Sequence, residues 1–186
     1  MKKIIICLFI SVIGFSANAQ RFYSFEKNWK ASVGLNTVGS VNTENPFKRL
    51  GDYAFRFPVA FAIEYQWTEQ FAFEQDLSLN SFKAGSYINN GIAPEDLTYF
   101  STNSNLKWYF TDHLLESDRV DLFLSGGLGL LYVDDLTTTA NLSVGIQYWF
   151  NQDIGVRFQS YSKFALDKKL YANNHFQHTL MAVFRL

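Results

Sequence analysis

The chain has 186 residues, a formal net charge of −1 and 18% aromatic residues, among them 19 phenylalanines. A nearly neutral chain without a basic stripe argues against nucleic acid as a partner. After residue 20, no window is apolar for the ~18 residues of a membrane-spanning helix, which excludes a helical membrane protein.

The first residues predict a secretory signal peptide. Two lysines precede an apolar run, and Ala17-Asn18-Ala19 places small residues where a signal peptidase cleaves. We therefore divide the chain into a signal peptide, residues 1–19, and one domain, residues 20–186. Cys7, the only cysteine, leaves with the signal peptide, so neither a disulfide nor thiol chemistry is expected in the mature chain.

Alternating apolar and polar residues predict eight strands in that domain. In chain order, they run from Trp29 to Val38, from Phe57 to Trp67, from Phe71 to the loop at Lys83, from the end of that loop to Phe110, from Val120 to Val133, from Ala140 to Phe150, from Ile154 to Ala165, and from His175 to Leu186. An even number of strands, each long enough to cross a bilayer at a tilt, is typical of bacterial outer-membrane barrels.

The predicted connections differ in length at the two ends of the barrel. The turns Thr68-Glu69-Gln70 and Asn151-Gln152-Asp153 have three residues, whereas the loops from Gly39 to Arg56, from Lys83 to Leu97 and from Ala165 to Asn174 are about ten residues or longer. Asp134 to Thr138 is predicted to be a short loop. Short turns at one rim and long loops at the other indicate a periplasmic and an extracellular end, with both termini periplasmic.

The hairpin from Ala140 to Ser160 shows the two faces of the strands most clearly, because one face is apolar and the other polar. We predict that apolar faces contact lipid and charged faces point into the lumen. Aromatic residues near the short turns form a predicted inner-leaflet girdle: Trp67, Phe71, Trp108, Phe110, Tyr148, Phe150 and Phe184. A soluble lipocalin-like barrel, with its apolar face inside, has the same alternation and is the alternative. The predicted fold class is all-β, an eight-stranded antiparallel transmembrane up-and-down β-barrel.

The polar face carries a set of charges at similar depth. Glu64, Glu74, Lys107 and Arg157 each lie three residues from the turn end of their strands, and Asp76 lies one layer above. An eight-stranded barrel is just wide enough for side chains to fill it, so these charges are expected to pair and close the lumen. A gate for ions is the functional alternative. A catalytic carboxylate pair is the third reading, although a buried substrate would have no way in.

The sequence resembles the OmpA/OmpX-type barrels in the version seen in Bacteroidetes. The resemblance rests on the signal peptide, the eight alternating strands and the ending Val183-Phe184-Arg185-Leu186. It implies insertion by the barrel-assembly machinery, for which the family uses a terminal aromatic residue; here Leu186 is last and Phe184 lies two residues earlier. No periplasmic peptidoglycan-binding domain follows, so a wall-anchoring role is not implied.

His178 falls on the predicted lipid face, with Ser160 and Ser162 at a similar height on the preceding strand. The arrangement is similar to that of outer-membrane lipid A deacylases, in which a histidine activates a serine on that surface. The chain lacks the His-x-Ser spacing of those enzymes, so these three residues are only an alternative catalytic set. No metal site is expected, because His175 and His178 supply too few ligands.

We therefore expect a monomeric, non-enzymatic barrel in a bacterial outer membrane, without a cofactor. Its expected partners are outer-membrane lipid, lipopolysaccharide and the barrel-assembly machinery. Phe47, Tyr53 and Tyr87 in the long loops suggest contact with a further surface or envelope protein. Envelope integrity and surface interaction are the expected roles; a lipid A-modifying enzyme and a narrow ion pore are the alternatives.

Overall fold

A computed structural model describes residues 25–39, 46–47, 50, 53–88, 91–115 and 117–186. The predicted signal peptide, residues 1–19, lies outside these ranges. In chain order, the described elements are β1 (Asn28–Val38), β2 (Val59–Gln66), β3 (Phe71–Phe82), β4 (Tyr87–Ile88), β5 (Gly91–Ile92), β6 (Leu97–Tyr109), α1 (Thr111–Leu114), β7 (Val120–Val133), β8 (Asp135–Trp149), β9 (Ile154–Ala165) and β10 (His175–Arg185). No helix among these residues is long and apolar enough to span a membrane.

Eight of the strands form a closed antiparallel barrel in the order β1-β2-β3-β6-β7-β8-β9-β10, with β10 pairing back onto β1. The predicted fold class is confirmed. The two-residue strands β4 and β5 pair with each other as a separate hairpin within the loop after β3.

The barrel closes with a shift of ten residues. Paired residues can be followed around all eight strands from Asn28 to Val38, both on β1, through Gln66, Ala72, Lys107, Ser125, Ser143, Tyr161 and Gln177. A shear of this size over eight strands tilts them by about 40° from the barrel axis. The tilt brings residues from distant positions in the sequence to the same depth in the lumen.

The two faces of the strands point as predicted. Leu142, Val144 and Ile146 on β8 are 61%, 52% and 45% exposed on the outside, whereas Glu74 and Arg157 are fully buried inside. A lipocalin-like barrel would have the opposite orientation, so that alternative is wrong.

The turn between β7 and β8 is shorter than expected. The sequence predicted a loop from Asp134 to Thr138, but only Asp134 lies between the strands, and β8 begins at Asp135. Asp134 adopts a φ of +66°, a left-handed conformation that a short Asp side chain tolerates better than most residues do. The threonines that suggested a loop are β-branched and favour the extended strand.

The long loops pack over the end of the barrel opposite the short turns. Ala54 forms a bridge with Val38 at the end of β1, and loop residues join strand residues in a buried apolar cluster, the apolar cap. Its members are Val38, Ala54, Phe82, Ile88, Ala93, Leu97, Tyr99, Leu131, Val133 and Ala172. The loops are therefore continuous with the core at this end of the barrel.

Candidate functional site

Two glutamates lie side by side in the lumen near the short-turn end. Glu64 on β2 and Glu74 on β3 are direct cross-strand partners, and both side chains are fully buried. Like charges in direct opposition destabilise a sheet, and a buried carboxylate needs a compensating cation. The position of the pair therefore requires positive charge from the facing strands.

Lys107 on β6 and Arg157 on β9 supply that charge. The Lys107 Nζ atom donates to Glu64 Oε2 at 2.9 Å and to Glu74 Oε2 at 2.5 Å. The Arg157 guanidinium donates through Nη2 to Glu64 at 2.8 Å and through Nη1 to Glu74 at 2.6 Å. Both cations thus bridge both acids, and the four residues that were predicted to share one level are in direct contact.

Lys30 on β1 is a fifth member that the sequence analysis did not assign to the cluster. Its Nζ atom lies 2.8 Å from Glu64 Oε1 and also donates to Gln66 and Tyr109. The Tyr109 hydroxyl donates to the same Glu64 oxygen at 2.6 Å. Lys30 is the direct cross-strand partner of Glu64, so the register of β1 against β2 brings it into the layer.

Neutral side chains hold the arginine of this cluster in place. Gln147 accepts a hydrogen bond from Arg157 Nε at 2.8 Å. The Phe123 ring lies 4.3 Å from Lys107 Nζ and 5.5 Å from Arg157 Cζ, within the range of cation–π attraction. We call the ionised residues Lys30, Glu64, Glu74, Lys107 and Arg157 the charge layer.

Asp76 lies above the charge layer, as its position one step along β3 implies, and it has no ion pair within the described chain. Its carboxylate accepts hydrogen bonds from Asn103 at 2.5 Å, Asn105 at 3.0 Å and the Tyr161 hydroxyl at 2.9 Å. Neutral donors therefore stabilise this buried charge, and Asp76 does not take part in the contacts between Glu64 and its cations.

A fourth buried cation among the described residues lies toward the loop end of the lumen. Lys163 on β9 is 1% exposed, and its Nζ atom donates to Ser101 at 2.6 Å and to Tyr99 at 3.4 Å. No carboxylate within the described ranges lies within ion-pair distance of it. The lumen between the charge layer and the apolar cap is therefore polar and carries one lysine outside the layer.

The alternative catalytic residues are neighbours on the outer surface. His178 on β10 is the cross-strand partner of Ser160 on β9, and Ser162 is the partner of Phe176. Within the described chain, however, neither serine hydroxyl forms a hydrogen bond with the imidazole. The three residues thus share the outer face, as the sequence predicted. The contact between a serine nucleophile and the histidine base that the enzyme alternative needs does not form among the described residues.

The expectation that His178 faces lipid is wrong, because loop residues cover it. Its Nε2 atom lies 2.8 Å from the Pro46 carbonyl oxygen, and its ring stacks on Phe47 and Tyr53 at centroid distances of 5.0 and 5.6 Å. The side chain is only 5% exposed. The period of two fixes the direction of a side chain but does not reveal which segment folds over it.

The predicted aromatic residues all lie on the outer side near the short turns, where several contact one another. Ring centroids are 5.5 Å apart both for Trp108 and Phe110 and for Tyr148 and Phe150. Trp67, Phe71 and Phe184 are likewise exposed or half-buried.

The described residues contain no group of three or more His, Cys, Asp or Glu side chains that could hold a metal ion. The two ring nitrogens of His175 already contact the Asn173 carbonyl and the Tyr99 hydroxyl.

Neither a protein-family model nor a curated protein sequence matches the chain. Solved structures do match. Neisserial surface protein A has a TM-score of 0.55 and 15% identity, with 86% of this chain and 96% of that chain covered. The N-terminal β-barrel domain of Pseudomonas aeruginosa OprF has a TM-score of 0.54 and 13% identity, with 87% and 100% covered. Ail, the attachment invasion locus protein of Yersinia pestis, has a TM-score of 0.54 and 12% identity, with the same coverage.

These similar structures are eight-stranded outer-membrane barrels, and at such low identity they establish the fold alone. Together with the closed barrel, its apolar exterior and its charged interior, they identify the architecture: the chain has the fold of the OmpA/OmpX-type outer-membrane β-barrels.

Proposed function

We propose that the protein is a non-enzymatic outer-membrane barrel with a closed lumen, which supports envelope integrity or presents its long loops for surface interaction. The observation that carries this proposal is the charge layer, in which two carboxylates and three cations pair across the barrel. Separating buried ion pairs costs several kcal/mol, because each partner is left without compensation. An ion crossing the lumen would have to displace these contacts.

The apolar cap supports a closed lumen independently. It joins loop residues such as Ala54 and Ala172 in one buried cluster with Leu131 and Val133, which point inward at the loop end of β7. A permeating ion would therefore meet both an apolar layer and a charged layer.

The proposed export and membrane insertion are supported by the predicted signal peptide and by the arrangement of the two terminal strands. The predicted signal peptide, residues 1–19, would be cleaved, and the barrel-assembly machinery would insert the domain. The N-terminal and C-terminal strands meet at the short-turn end, where the Leu186 N–H donates to the Trp29 carbonyl oxygen at 2.8 Å. Both termini would then be periplasmic, with the aromatic girdle at the inner leaflet and lipopolysaccharide around the opposite end.

The loops are suited to contact with another molecule because part of their surface is apolar and firmly anchored. Tyr87 and Ile92 face each other across the β4–β5 hairpin and are 64% and 60% exposed, whereas Ile88 of the same hairpin is buried in the apolar cap. One of the similar structures, Ail, is an attachment invasion locus protein. A surface or envelope protein is therefore the proposed partner of these loops.

Planar-bilayer recording and cell fractionation test this proposal. The purified protein is expected to show no steady conductance, and the protein in cells is expected in the outer-membrane fraction. A variant with Glu64→Gln and Glu74→Gln tests the charge layer, and adding Leu131→Ser tests the apolar cap. Steady conductance of the unmodified protein would contradict a closed lumen, and recovery in the periplasm would contradict the proposed location.

A narrow ion pore is the second candidate, and Lys163 favours it. This lysine lies in a polar part of the lumen, where no described carboxylate is at ion-pair distance, and the charge layer itself has three cations against two acids. A pore of this kind would prefer anions. In a salt gradient, a reversal potential that shifts toward the equilibrium potential of the anion would support this candidate.

A lipid A deacylase is not favoured, because the imidazole of His178 is directed at a loop carbonyl and is stacked between aromatic rings. A general base must be within hydrogen-bond reach of the hydroxyl that it activates. The proposed function therefore includes no catalytic residue.

A further inference from the structure

Three neutral polar side chains form a patch on the outer surface of β3 and β6, which we call the polar triad: Gln75, Thr102 and Ser104. Gln75 and Ser104 are direct cross-strand partners, and Thr102 is the partner of Leu77. Gln75 and Ser104 are exposed and Thr102 is half-buried, although the remaining outward residues around them are apolar.

The polar triad lies in the middle of the apolar face. Outward apolar residues surround it along the strands and on both sides: Phe71, Phe73, Leu77 and Leu79 on β3, Phe100, Leu106 and Trp108 on β6, Ile63 on β2 and Leu128 on β7. On the outward face of β3, two apolar residues lie on each side of Gln75. Each end of this apolar stretch is therefore about 10 Å from Gln75 along the barrel axis at this tilt. Lipid headgroups therefore do not reach it.

The hydrogen bonds within the triad leave capacity for another partner. Ser104 donates to Gln75 Oε1 at 2.6 Å, and Gln75 Nε2 donates to the Thr102 hydroxyl at 2.7 Å. Thr102 in turn donates to the Asp76 carbonyl at 2.8 Å. A carboxamide has two N–H donors and an oxygen with two lone pairs. The second contact of Gln75 Nε2, to the Asp76 carbonyl, is 3.5 Å long, so one good donor and several acceptor positions remain.

A second outward polar position, His178, is covered by the chain itself. His178, which neighbours Ser160 on the opposite side of the barrel, is buried beneath Phe47 and Tyr53. No described loop residue covers the polar triad in the same way, and Gln75 and Ser104 remain exposed. Polar side chains are costly in a hydrocarbon environment, so their exposure at this depth indicates a surface that is buried in an assembly.

We propose that the polar triad is the centre of a membrane-embedded interface between two copies of this chain. The proposal rests on insertion in the membrane, as proposed above, and departs from the monomer expected from the sequence. The patch is self-complementary: a two-fold axis along the membrane normal places Gln75 of one copy beside Gln75 of the other, so that each amide donates to an oxygen of its partner. No charged side chain on the outward faces of β3 and β6 opposes this approach.

Disulfide cross-linking of single-cysteine variants tests the interface directly. The only natural cysteine, Cys7, lies in the predicted signal peptide, so Ser104→Cys introduces a single thiol into the mature chain. Leu142→Cys is the matched control, because Leu142 is 61% exposed at similar depth on β8. Both variants are folded into lipid vesicles and oxidised at low protein density. Covalent dimers are expected for Ser104→Cys and not for Leu142→Cys.

A second variant distinguishes the hydrogen bonds of the polar triad from simple proximity of the two copies as the cause of cross-linking. Adding Gln75→Leu to Ser104→Cys is expected to lower the dimer yield about five- to tenfold, because the two copies together lose two hydrogen bonds of the modest strength found between membrane segments. Equal cross-linking of the two cysteine variants, absence of dimers, or no effect of Gln75→Leu would each overturn the proposal. Because purified protein is folded into vesicles, these results are independent of the cellular location, which fractionation tests separately.

Discussion

Glu64→Gln is the most informative single change in the charge layer. Three cations contact the Glu64 carboxylate, Lys30 at 2.8 Å, Lys107 at 2.9 Å and Arg157 at 2.8 Å, and all four side chains are at most 1% exposed. Glutamine keeps the shape but removes the charge, which leaves Lys107 and Arg157 with Glu74 as their only carboxylate contact among the described residues and Lys30 with none. Breaking a buried pair in this way costs about 3–5 kcal/mol, a large part of the ~5–15 kcal/mol that stabilises a typical domain.

Urea unfolding from lipid vesicles, followed by the fluorescence of the four tryptophans, measures this loss. Adding Lys30→Met should recover part of it, because Glu64 is the only carboxylate that Lys30 contacts within the described residues. Arg56→Gln is the control, since Arg56 pairs with Asp96 in an exposed loop contact and such pairs contribute little. A loss for Glu64→Gln no larger than that of the control would refute the proposed weight of the charge layer.

Three further predictions concern the loops and the outer surface. The Ala84 N–H and a neighbouring arginine lower the pKa of Asp96. The stabilisation that its ionised carboxylate gives to the loop is therefore present above the ordinary carboxylate pKa and is lost as the pH falls below about 4. Proteolysis of the loop should increase at acid pH, and Asp96→Asn should abolish this pH dependence. Asp134→Val should destabilise the barrel by about 1–2 kcal/mol in urea titrations, while Asp134→Gly should not, because only glycine adopts the left-handed conformation freely. Replacing His178 and Ser160 by alanine should leave the lipid A mass profile unchanged; a changed profile would revive the enzyme alternative.

Members of the charge layer could be predicted where a tight turn joins two strands, because the number of residues from the turn then gives the depth of a side chain in the lumen. Glu64 and Glu74 flank a short turn, so their equal distance from it fixes their relative depth. Lys30 could not be placed in this way, because β1 has no tight turn at its periplasmic end. The long loop that joins β1 to β2 leaves the register between these two strands undetermined by the sequence.

Two features show what an alternating pattern of residues cannot predict: the loop that covers His178, and the hydrogen bonds of the polar triad. Parity assigned His178 to the outer face correctly, but the stacking of Phe47 and Tyr53 on it depends on the path of a long loop. Gln75 was detectable in principle, because it interrupts an otherwise apolar face between Phe73 and Leu77. Its hydrogen-bonding partners were not, since they require the pairing of β3 with β6 across the intervening hairpin.

The connection between β7 and β8 consists of Asp134 alone, whereas the other three connections at this end contribute residues such as Ala54, Ile88, Ala93 and Ala172 to the apolar cap. The inward residues of this hairpin, Leu131 and Val133, are buried in the same cluster, while the outward Tyr132 and Leu136 are 41% and 59% exposed. The β7–β8 hairpin therefore supports the longer loops that fold over the lumen and does not itself fold over it.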